Sequence, residues 1–155
     1  MHICVTRFNN ESYSENIRYR QNHNIKCIYG SPKKIAETIM PYEYIMILEM
    51  NNDTDKIEGI GIVQNQLCYN RHRIYTEHNY NRYIYKSNKY ITIESLSSLE
   101  KKIIVAVQDL LFKSKGHVKR GNGIQLIPKN MLNNTFLVKI LKNICKNHYG
   151  SKSNT

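Results

Sequence analysis

The amino-acid sequence predicts an α+β fold, in which a small, strongly curved mixed β-barrel is flanked by helices and followed by a C-terminal helix. Two β-rich runs, residues 45–50 and 56–63, are separated by the turn-forming stretch Asn-Asn-Asp-Thr-Asp and predict a central hairpin. Gly59 and Gly61 share one face of the second strand, which indicates a bulge, a sharp bend or the close approach of another group. Short strands and helices on either side of this hairpin complete the pattern.

The chain before the hairpin predicts two strands and a surface helix. Residues 3–5 and 25–30 are apolar or β-branched, as is typical of strands. Residues 13–22 predict a polar helix capped by Asn10 or Ser12, because these side chains accept hydrogen bonds from free backbone N–H groups.

Two arginines of this helix, Arg18 and Arg20, are expected in solvent, where either can reach a phosphate. A short helix is predicted over residues 33–40, because apolar residues recur there at helical spacing and Pro41 ends the pattern.

The chain after the central hairpin predicts an irregular segment, 66–81, and then a second hairpin. Residues 82–92 alternate along the chain, and Ser87 and Asn88 are expected to form the two-residue turn. Residues 89–93 would then return as the partner strand.

Ser97 and Glu100 fit a capping box, so a helix is predicted to begin there and to run to about Phe112. A basic loop, 113–120, and a short strand, 124–127, are expected to follow. The predicted buried stripe of the helix is Leu99, Ile103, Val107 and Leu110 or Leu111.

A final helix is predicted to run to about residue 147, with Asn133, Asn134 or Thr135 as its N-cap. Residues 1–150 are interpreted as a single domain and residues 151–155 as a polar tail. The predicted inner face of the final helix is Phe136, Ile140, Leu141 and Ile144.

The charge of the chain favours a polyanionic partner. Its 23 Lys and Arg against 12 Asp and Glu among 155 residues give a formal net charge of +11. An AT-rich genome also raises lysine content, but such a bias does not explain why residues 111–155 contain no Asp or Glu. Nucleic acid is the simplest partner for this distribution.

Membrane, secreted and metal-binding classes receive no support from the sequence. No window has the length of apolar sequence that a membrane span needs, and the N-terminus lacks the apolar region of a signal peptide, so an intracellular protein is expected. Cys145 and His148 would share a helix face, but no second pair of metal ligands has suitable spacing. We therefore expect free thiols at Cys4, Cys27, Cys68 and Cys145.

The order of elements resembles a known superfamily in three stretches: a strand ending Gly-Ser-Pro at 30–32, the hairpin at 48–65, and the strands Asn-Arg-Tyr-Ile-Tyr-Lys-Ser-Asn-Lys-Tyr-Ile at 81–91. Over residues 1–128 the chain resembles the PUA-like superfamily, the compact barrels that include the EVE, ASCH and YTH domains. It is also similar to small uncharacterised proteins of large nucleocytoplasmic DNA viruses.

This resemblance implies binding of RNA or DNA, with a modified or flipped base held in a pocket beside the barrel. Asparagine can pair with the edge of adenine-type bases and tyrosine can stack on them, although the same residues are also ordinary turn and strand residues. The chain has no tryptophan, on which the methyl-adenine cage of YTH domains relies. The pocket wall implied by the resemblance comprises Tyr29, Gly30, Ser31, Asn51, Asn65, Tyr83 and Tyr85.

The hypothesis from sequence is a non-enzymatic nucleic-acid-binding module that needs no cofactor and no metal. One alternative is a structural or assembly protein, for example one packaged with a viral genome, that docks on an acidic partner protein. Another is a metal-dependent nuclease that uses Glu49 or Glu58 with Lys56. The residues assigned to nucleic-acid contact are Arg82, Lys86, Lys113, Lys115, His117, Lys119 and Arg120.

Overall fold

The strands and helices of the chain build two sheets and three α-helices, seen here in a computed structural model that describes residues 1–132 and 135–150. Two short 3₁₀ helices span His78–Asn81 and Ile93–Ser95. In chain order the other elements are β1 (His2–Phe8), α1 (Asn10–His23), β2 (Cys27–Ser31), β3 (Tyr44–Asn51), β4 (Lys56–Gln64), β5 (Tyr83–Ser87), β6 (Lys89–Thr92), α2 (Ser98–Lys113), β7 (Gln125–Leu126) and α3 (Thr135–Tyr149).

The larger sheet has the strand order β6-β4-β3-β1-β7. Its central pair, β1 and β3, is parallel, and its other neighbours are antiparallel. The smaller sheet pairs β2 with β5 in antiparallel fashion. The predicted α+β class, mixed sheet and C-terminal helix are therefore confirmed. Within the described residues the strand pairings leave the two sheets separate and do not close them into a barrel.

Both faces of the larger sheet are buried, which explains why β3 is apolar at almost every position. Met46 and Leu48 point to one face and lie in one core with Val107 of α2 and Leu141 of α3. Because side chains alternate along a strand, Ile47 lies on the other face, in a second core that includes residues of β2 and β5. The fold is therefore layered, with the larger sheet in the middle.

The predicted central hairpin is confirmed. Leu48 of β3 pairs with Ile60 of β4, and the register shifts by one residue between Leu48 and Met50, beside Gly59. The turn that joins the strands contains Asp55 with φ of 53°, a left-handed conformation that aspartate tolerates better than most residues.

The predicted helix over residues 33–40 is wrong, because this segment forms irregular turns. The backbone N–H of Ile35 donates a 3.0 Å hydrogen bond to the hydroxyl oxygen of Tyr85, and the N–H of Ile39 donates to the carbonyl of Ala36. Ile35 and Ile39 are both buried. The two isoleucines are therefore spaced as in a helix because both are buried side chains of an irregular loop, which is hydrogen-bonded to β5.

The predicted second hairpin is also wrong. β5 pairs with β2 in the smaller sheet, whereas β6 pairs with β4 in the larger one. Ser87 and Asn88 therefore connect two sheets, and the hydroxyl of Ser87 accepts a 2.8 Å hydrogen bond from the N–H of Lys89 at this corner. The strands themselves were predicted, but their pairing partners lie far away along the chain, and β5 buries the consecutive residues Ile84 and Tyr85 instead of alternating cleanly.

Helix α1 begins earlier than predicted, and neither predicted residue is its N-cap. The cap is Asn9, whose side-chain oxygen accepts a 2.8 Å hydrogen bond from the N–H of Ser12. The N–H of Asn9 in turn donates a 3.0 Å hydrogen bond to the hydroxyl of Ser12, which completes a capping box. Arg18 is exposed as expected, but Arg20 is only 6% exposed and points into the core.

The predicted capping box of α2 is confirmed, with Ser97 as its N-cap and Glu100 at the third position. Val107 and Leu111 of the predicted stripe are buried and Ile103 is partly buried against the core, whereas Leu99 is 67% exposed. The buried residues of α2 are Ile104, Val107, Leu111 and Phe112.

Helix α3 packs through Leu141 and Ile144, as predicted, whereas Phe136 is 63% exposed and Ile140 is half-buried. Helix α3 begins at Thr135. The predicted caps Asn133 and Asn134 and the predicted tail 151–155 lie outside the described residues.

Candidate functional site

A fully buried carboxylate, that of Glu49, lies between the two sheets. It forms an ion pair with Arg20 of α1 and accepts hydrogen bonds from the hydroxyls of Tyr29, at 2.7 Å, and Tyr90, at 2.9 Å. Burial, and then the negative charge of Glu49, raise the pKa of both phenols, so both stay protonated and donate.

This cluster also explains the two strand glycines. A Cβ atom at Gly61 would collide with the ring of Tyr29, and one at Gly59 would collide with the ring of Tyr90. The glycines therefore let two tyrosine rings lie on β4 and reach Glu49. The two phenols and Arg20 all bond to the Glu49 carboxylate, and the buried Nε of Arg20 has no hydrogen-bond partner among the described residues. We interpret the cluster as structural, because its members bond mainly to one another inside the fold. Glu49 is therefore not placed to bind a metal in the manner that the nuclease alternative requires.

A cavity of about 500 Å³ opens where β1 ends and α1 begins. A volume of this size is typical of small-ligand sites, which span roughly 300–1,000 Å³. Its wall is formed by the continuous stretch from the end of β1 into the first turns of α1, by Gly30 of β2, by Asn52, by the segment 75–80 and by the glycine-containing stretch 121–123. The cavity therefore brings together five separate parts of the sequence.

Arg7 supplies a positive charge to the cavity wall. Its guanidinium donates to the side-chain oxygen of Gln125 at 2.8 Å and to the carbonyls of Val118 at 3.2 Å and Gly123 at 3.3 Å. Partial burial lowers the pKa of Arg7, although the arginine remains charged at neutral pH. No carboxylate of residues 1–132 or 135–150 forms an ion pair with it.

Two tyrosines form the aromatic side of the cavity. The rings of Tyr75 and Tyr80 meet edge to face with centroids 6.4 Å apart. The hydroxyl of Tyr75 accepts a 2.9 Å hydrogen bond from the side-chain amide of Asn16, which holds its ring in place. A Cβ atom at Gly30 would collide with the carbonyl of Tyr80, so glycine is needed where this segment crosses β2.

Hydrogen-bond acceptors occupy the side of the cavity formed by α1. Glu15 accepts hydrogen bonds from the N–H and the hydroxyl of Thr76, and the exposed carboxylates of Glu11 and Glu77 lie at the rim. The N–H of Asn10, at the start of α1, already donates to the carboxylate of Asp53. The cavity therefore suits a ring with amino groups better than it suits a dense anion.

The predicted basic loop is attached to the rim of this cavity. The carbonyl of Lys119 accepts a 2.8 Å hydrogen bond from the side chain of Asn52, which also lines the cavity. Val118 is buried, and its carbonyl accepts from Arg7. The exposed side chains of the loop therefore project from a backbone that is fixed at two points.

The cations of this loop differ in their partners. Lys119 pairs with Asp55 at 2.7 Å, and Lys113 pairs with Asp109 at 3.4 Å. Lys115 and Arg120 are exposed, and neither forms an ion pair within the described part of the chain. These two, with the exposed His117, are available to an external anion.

No protein-family model, curated protein or solved structure matches this chain.

The pocket residues implied by the PUA-like resemblance are dispersed in the structure. Of the seven, Gly30 alone is among the residues that line the cavity. Tyr29 is buried against Glu49, the hydroxyl of Tyr85 accepts from Ile35, and the hydroxyl of Ser31 bonds to the backbone of Lys33.

The two asparagines organise turns. The side chain of Asn51 donates to Asn10 and Glu58 and accepts from the N–H of Asp53. The side chain of Asn65 donates to the carbonyl of Ile39 at 2.8 Å.

Tyr83 is half-buried at the surface, where the side chains of Lys34 and Arg82 lie over its ring. Arg82 and Lys86 are exposed around β5, away from the basic loop in sequence. The predicted nucleic-acid contacts therefore fall on two different segments, the loop 113–120 and the neighbourhood of β5.

The cavity residues Arg7, Tyr75 and Tyr80 were not identified from sequence. The available signal was the stretch Arg-Phe-Asn at the end of an apolar strand, followed by a polar helix, because a strand that runs into a helix cap is a frequent ligand position. Nothing local indicated that residues 75–80 would meet it.

Metal and membrane features can be judged within the described residues. No group of three or more His, Cys, Asp or Glu side chains there could hold a metal ion. Cys4, Cys27 and Cys145 are buried free thiols, and Cys68 is a half-buried one. None of the helices in residues 1–132 and 135–150 has the length and apolar character needed to cross a membrane.

Proposed function

We propose that this protein is a non-enzymatic nucleic-acid-binding module in which the cavity at the start of α1 accepts a base and the basic loop holds the phosphate backbone. The attachment of the loop to the cavity rim, through Asn52 and Arg7, is the observation that carries the proposal. It fixes exposed cations next to a cavity whose wall is aromatic and rich in amide and carboxylate groups.

The chemistry of each part matches its role. Tyr80 offers a ring on which any base can stack, and carboxylates such as Glu15 accept hydrogen bonds from exocyclic amino groups. Lys115 and Arg120 can neutralise phosphates outside the cavity, which gives affinity through counterion release. The net charge of +11 favours the same partner.

A PUA-like arrangement is part of this proposal. The smaller sheet faces the larger one across a shared core, and the strand β5 passes directly into β6 of the other sheet. A strand that changes sheet at a corner is the device by which small barrels and sandwiches curve. The base would then lie beside the curved sheets, as the resemblance implies.

The test is fluorescence anisotropy with short single- and double-stranded DNA and RNA at two salt concentrations. We expect salt-dependent binding with a preference for single strands, because a base in a duplex is not free to enter the cavity. Tyr80→Ala should weaken binding about 5- to 150-fold, the range expected for loss of one stacking contact of about 1–3 kcal/mol. Tyr44→Ala is the matched control, since Tyr44 is 43% exposed and begins β3. The cavity residue Phe8 pairs with Asn51 at the other end of this strand.

Binding that is equally strong in wild type and Tyr80→Ala would remove the base from the cavity. Absence of binding to all four ligands at low salt would remove nucleic acid altogether.

A further inference from the structure

A second concave surface, lined by arginine and histidine, lies on the segment between β4 and β5. This cleft of about 280 Å³ is lined mainly by residues 68–73, together with His78, Asn81 and Arg82. None of its lining residues is acidic. We call it the arginine cleft and define it by Arg71, His72, Arg73, His78 and Arg82.

The arginines of the cleft have no carboxylate partner among the described residues. Arg71, Arg73 and Arg82 are all exposed. Elsewhere on the protein, cations such as Lys119 and Lys113 do have carboxylate partners. A guanidinium presents a fixed fork of donors that matches the geometry of a phosphate.

The walls of the cleft are held by hydrogen bonds, so the site is built before a ligand arrives. The N–H of Cys68 donates to the carbonyl of Ile84 in β5 at 2.8 Å. The side-chain oxygen of Asn81 accepts from the N–H groups of Ile74 and Tyr75 at 3.0 and 2.9 Å. These bonds fix both ends of the segment that carries the arginines.

His72 is fixed within the same cleft. Its Nδ1 lies 2.6 Å from the hydroxyl of Tyr19, and its Nε2 lies 3.6 Å from the thiol of Cys68. Burial, and then the nearby positive charges of Lys86 and His23, lower the pKa of His72. The surroundings of the cleft are therefore positive even where a histidine is neutral.

Aromatic surface lies next to these cations. Tyr69 lines the cleft and is 91% exposed, so its ring is open to stacking. The guanidinium of Arg82 lies 5.3 Å from the centre of the Tyr83 ring, which holds one face of the arginine. Arginines interleaved with exposed tyrosine are typical of surfaces that bind single-stranded nucleic acid.

The cleft and the cavity share one segment of chain. Tyr75 and Tyr80 line the cavity. Arg73, two residues before Tyr75, and His78, two residues before Tyr80, line the cleft. One segment of chain therefore contributes to the walls of both concave surfaces.

We infer that the arginine cleft binds phosphate groups of a single nucleic-acid strand whose base occupies the cavity, with Tyr69 stacking on a neighbouring base. This inference rests on the proposed function and adds a second point of attachment to it. The strand crosses the segment 73–80, so that the basic loop and the arginine cleft hold phosphates on its two sides. Single strands are favoured over duplexes, because a base must be unpaired to enter the cavity or to stack on Tyr69.

The test compares two variants that remove the same charge. Arg71→Gln with Arg73→Gln alters the cleft, and Lys101→Gln with Lys102→Gln removes two exposed cations from α2. The probe is a fluorescein-labelled eight-nucleotide oligo-dT or oligo-U, titrated at several salt concentrations. The slope of log K against log salt should fall by about 1.4 in the cleft variant, because each phosphate contact on a single strand contributes about 0.7. The slope of the control should be unchanged.

The outcomes separate this inference from the function on which it rests. Equal slopes for the two double variants, with binding intact, would overturn the arginine cleft alone. A reduced slope in the cleft variant together with an unaffected Tyr80→Ala variant would support the cleft and overturn the base cavity. No binding by the wild-type protein would overturn both. Tyr69→Ala should lower affinity without changing the slope, since it removes stacking and no charge.

Discussion

The hydroxyl of Tyr29 donates a 2.7 Å hydrogen bond to the carboxylate of Glu49, and the ring of Tyr29 lies directly on the backbone of Gly61. Tyr29 and Glu49 are fully buried, and the carboxylate of Glu49 also pairs with Arg20 of α1. The carboxylate of Glu49 therefore joins the centre of the larger sheet to the helix through Arg20 and to the smaller sheet through Tyr29. A buried pair of this kind is costly to break, because either charge left alone has no access to water.

Replacement of Glu49 by glutamine should destabilise the protein by about 3–5 kcal/mol, since Arg20 would remain buried without a negative partner. The free energy of unfolding in urea measures this loss. The double variant Arg20→Met with Glu49→Leu should be more stable than Glu49→Gln alone, because no unpaired charge remains. A double variant that is less stable than the single one would show that the pair acts through something other than charge.

A second prediction concerns the glycine beneath Tyr29. Gly61→Ala should cost about 1–3 kcal/mol of stability, because the added methyl group overlaps the tyrosine ring and forces it away from Glu49. Gly116→Ala is the control, since a Cβ atom there meets only the end of the Met131 side chain at 3.6 Å. Urea unfolding of the two variants side by side makes the comparison, and equal stabilities would contradict the proposed contact.

What the sequence revealed about the fold was local. Ser97 and Glu100 lie three residues apart, so the start of α2 could be predicted from them alone. The β3–β4 hairpin was predictable because its two strands are joined by a short turn. The failures in strand pairing involve partners that are distant in sequence. The strand before Ser87 was predicted, yet the choice between β2 and β6 as its partner depends on the packing of the two sheets.

The candidate site was less predictable for the same reason. Arg20 was expected in solvent because arginine on a polar helix usually lies there, and its partner Glu49 is 29 residues away. The cavity gathers Arg7, Tyr80 and the glycines near residue 121 from three distant parts of the chain. The basic loop was identified because its charges are close together in the sequence, where local composition reveals them.

The ion pair between Lys119 and Asp55 leads to a prediction about the basic loop. Asp55→Asn should release Lys119 for a phosphate and should steepen the salt dependence of single-strand binding by up to about 0.7. Asparagine tolerates the left-handed conformation at this position, so the turn should be retained. Arg120→Gln should lower the same slope by about 0.7, because Arg120 is exposed and has no ion-pair partner within the described residues.

The two changes are opposite in sign, and anisotropy titrations at several salt concentrations measure both. If both variants give the wild-type slope of log K against log salt, the basic loop lies outside the nucleic-acid footprint.

The buried thiols make the protein sensitive to alkaline pH. Burial raises the pKa of Cys4 and Cys145 from 9.0 to about 12 and that of Cys27 to about 11. The folded state therefore holds these protons more tightly than the unfolded state. Their contribution to stability is complete below pH 9 and is lost as the pH rises from there towards 11–12. At pH 10.5 the loss should be about 2 kcal/mol for each thiol.

Urea unfolding at pH 8 and pH 10.5 measures this dependence. The buried tyrosines contribute in the same direction above pH 10, so the decisive comparison is between wild type and the variant Cys4→Ala with Cys145→Ala. The variant starts from a lower stability because it loses packing, but it should lose less between the two pH values, since two of the three buried thiols are gone. The same pH-dependent loss in both proteins would show that the thiols ionise as readily in the folded state as in the unfolded one.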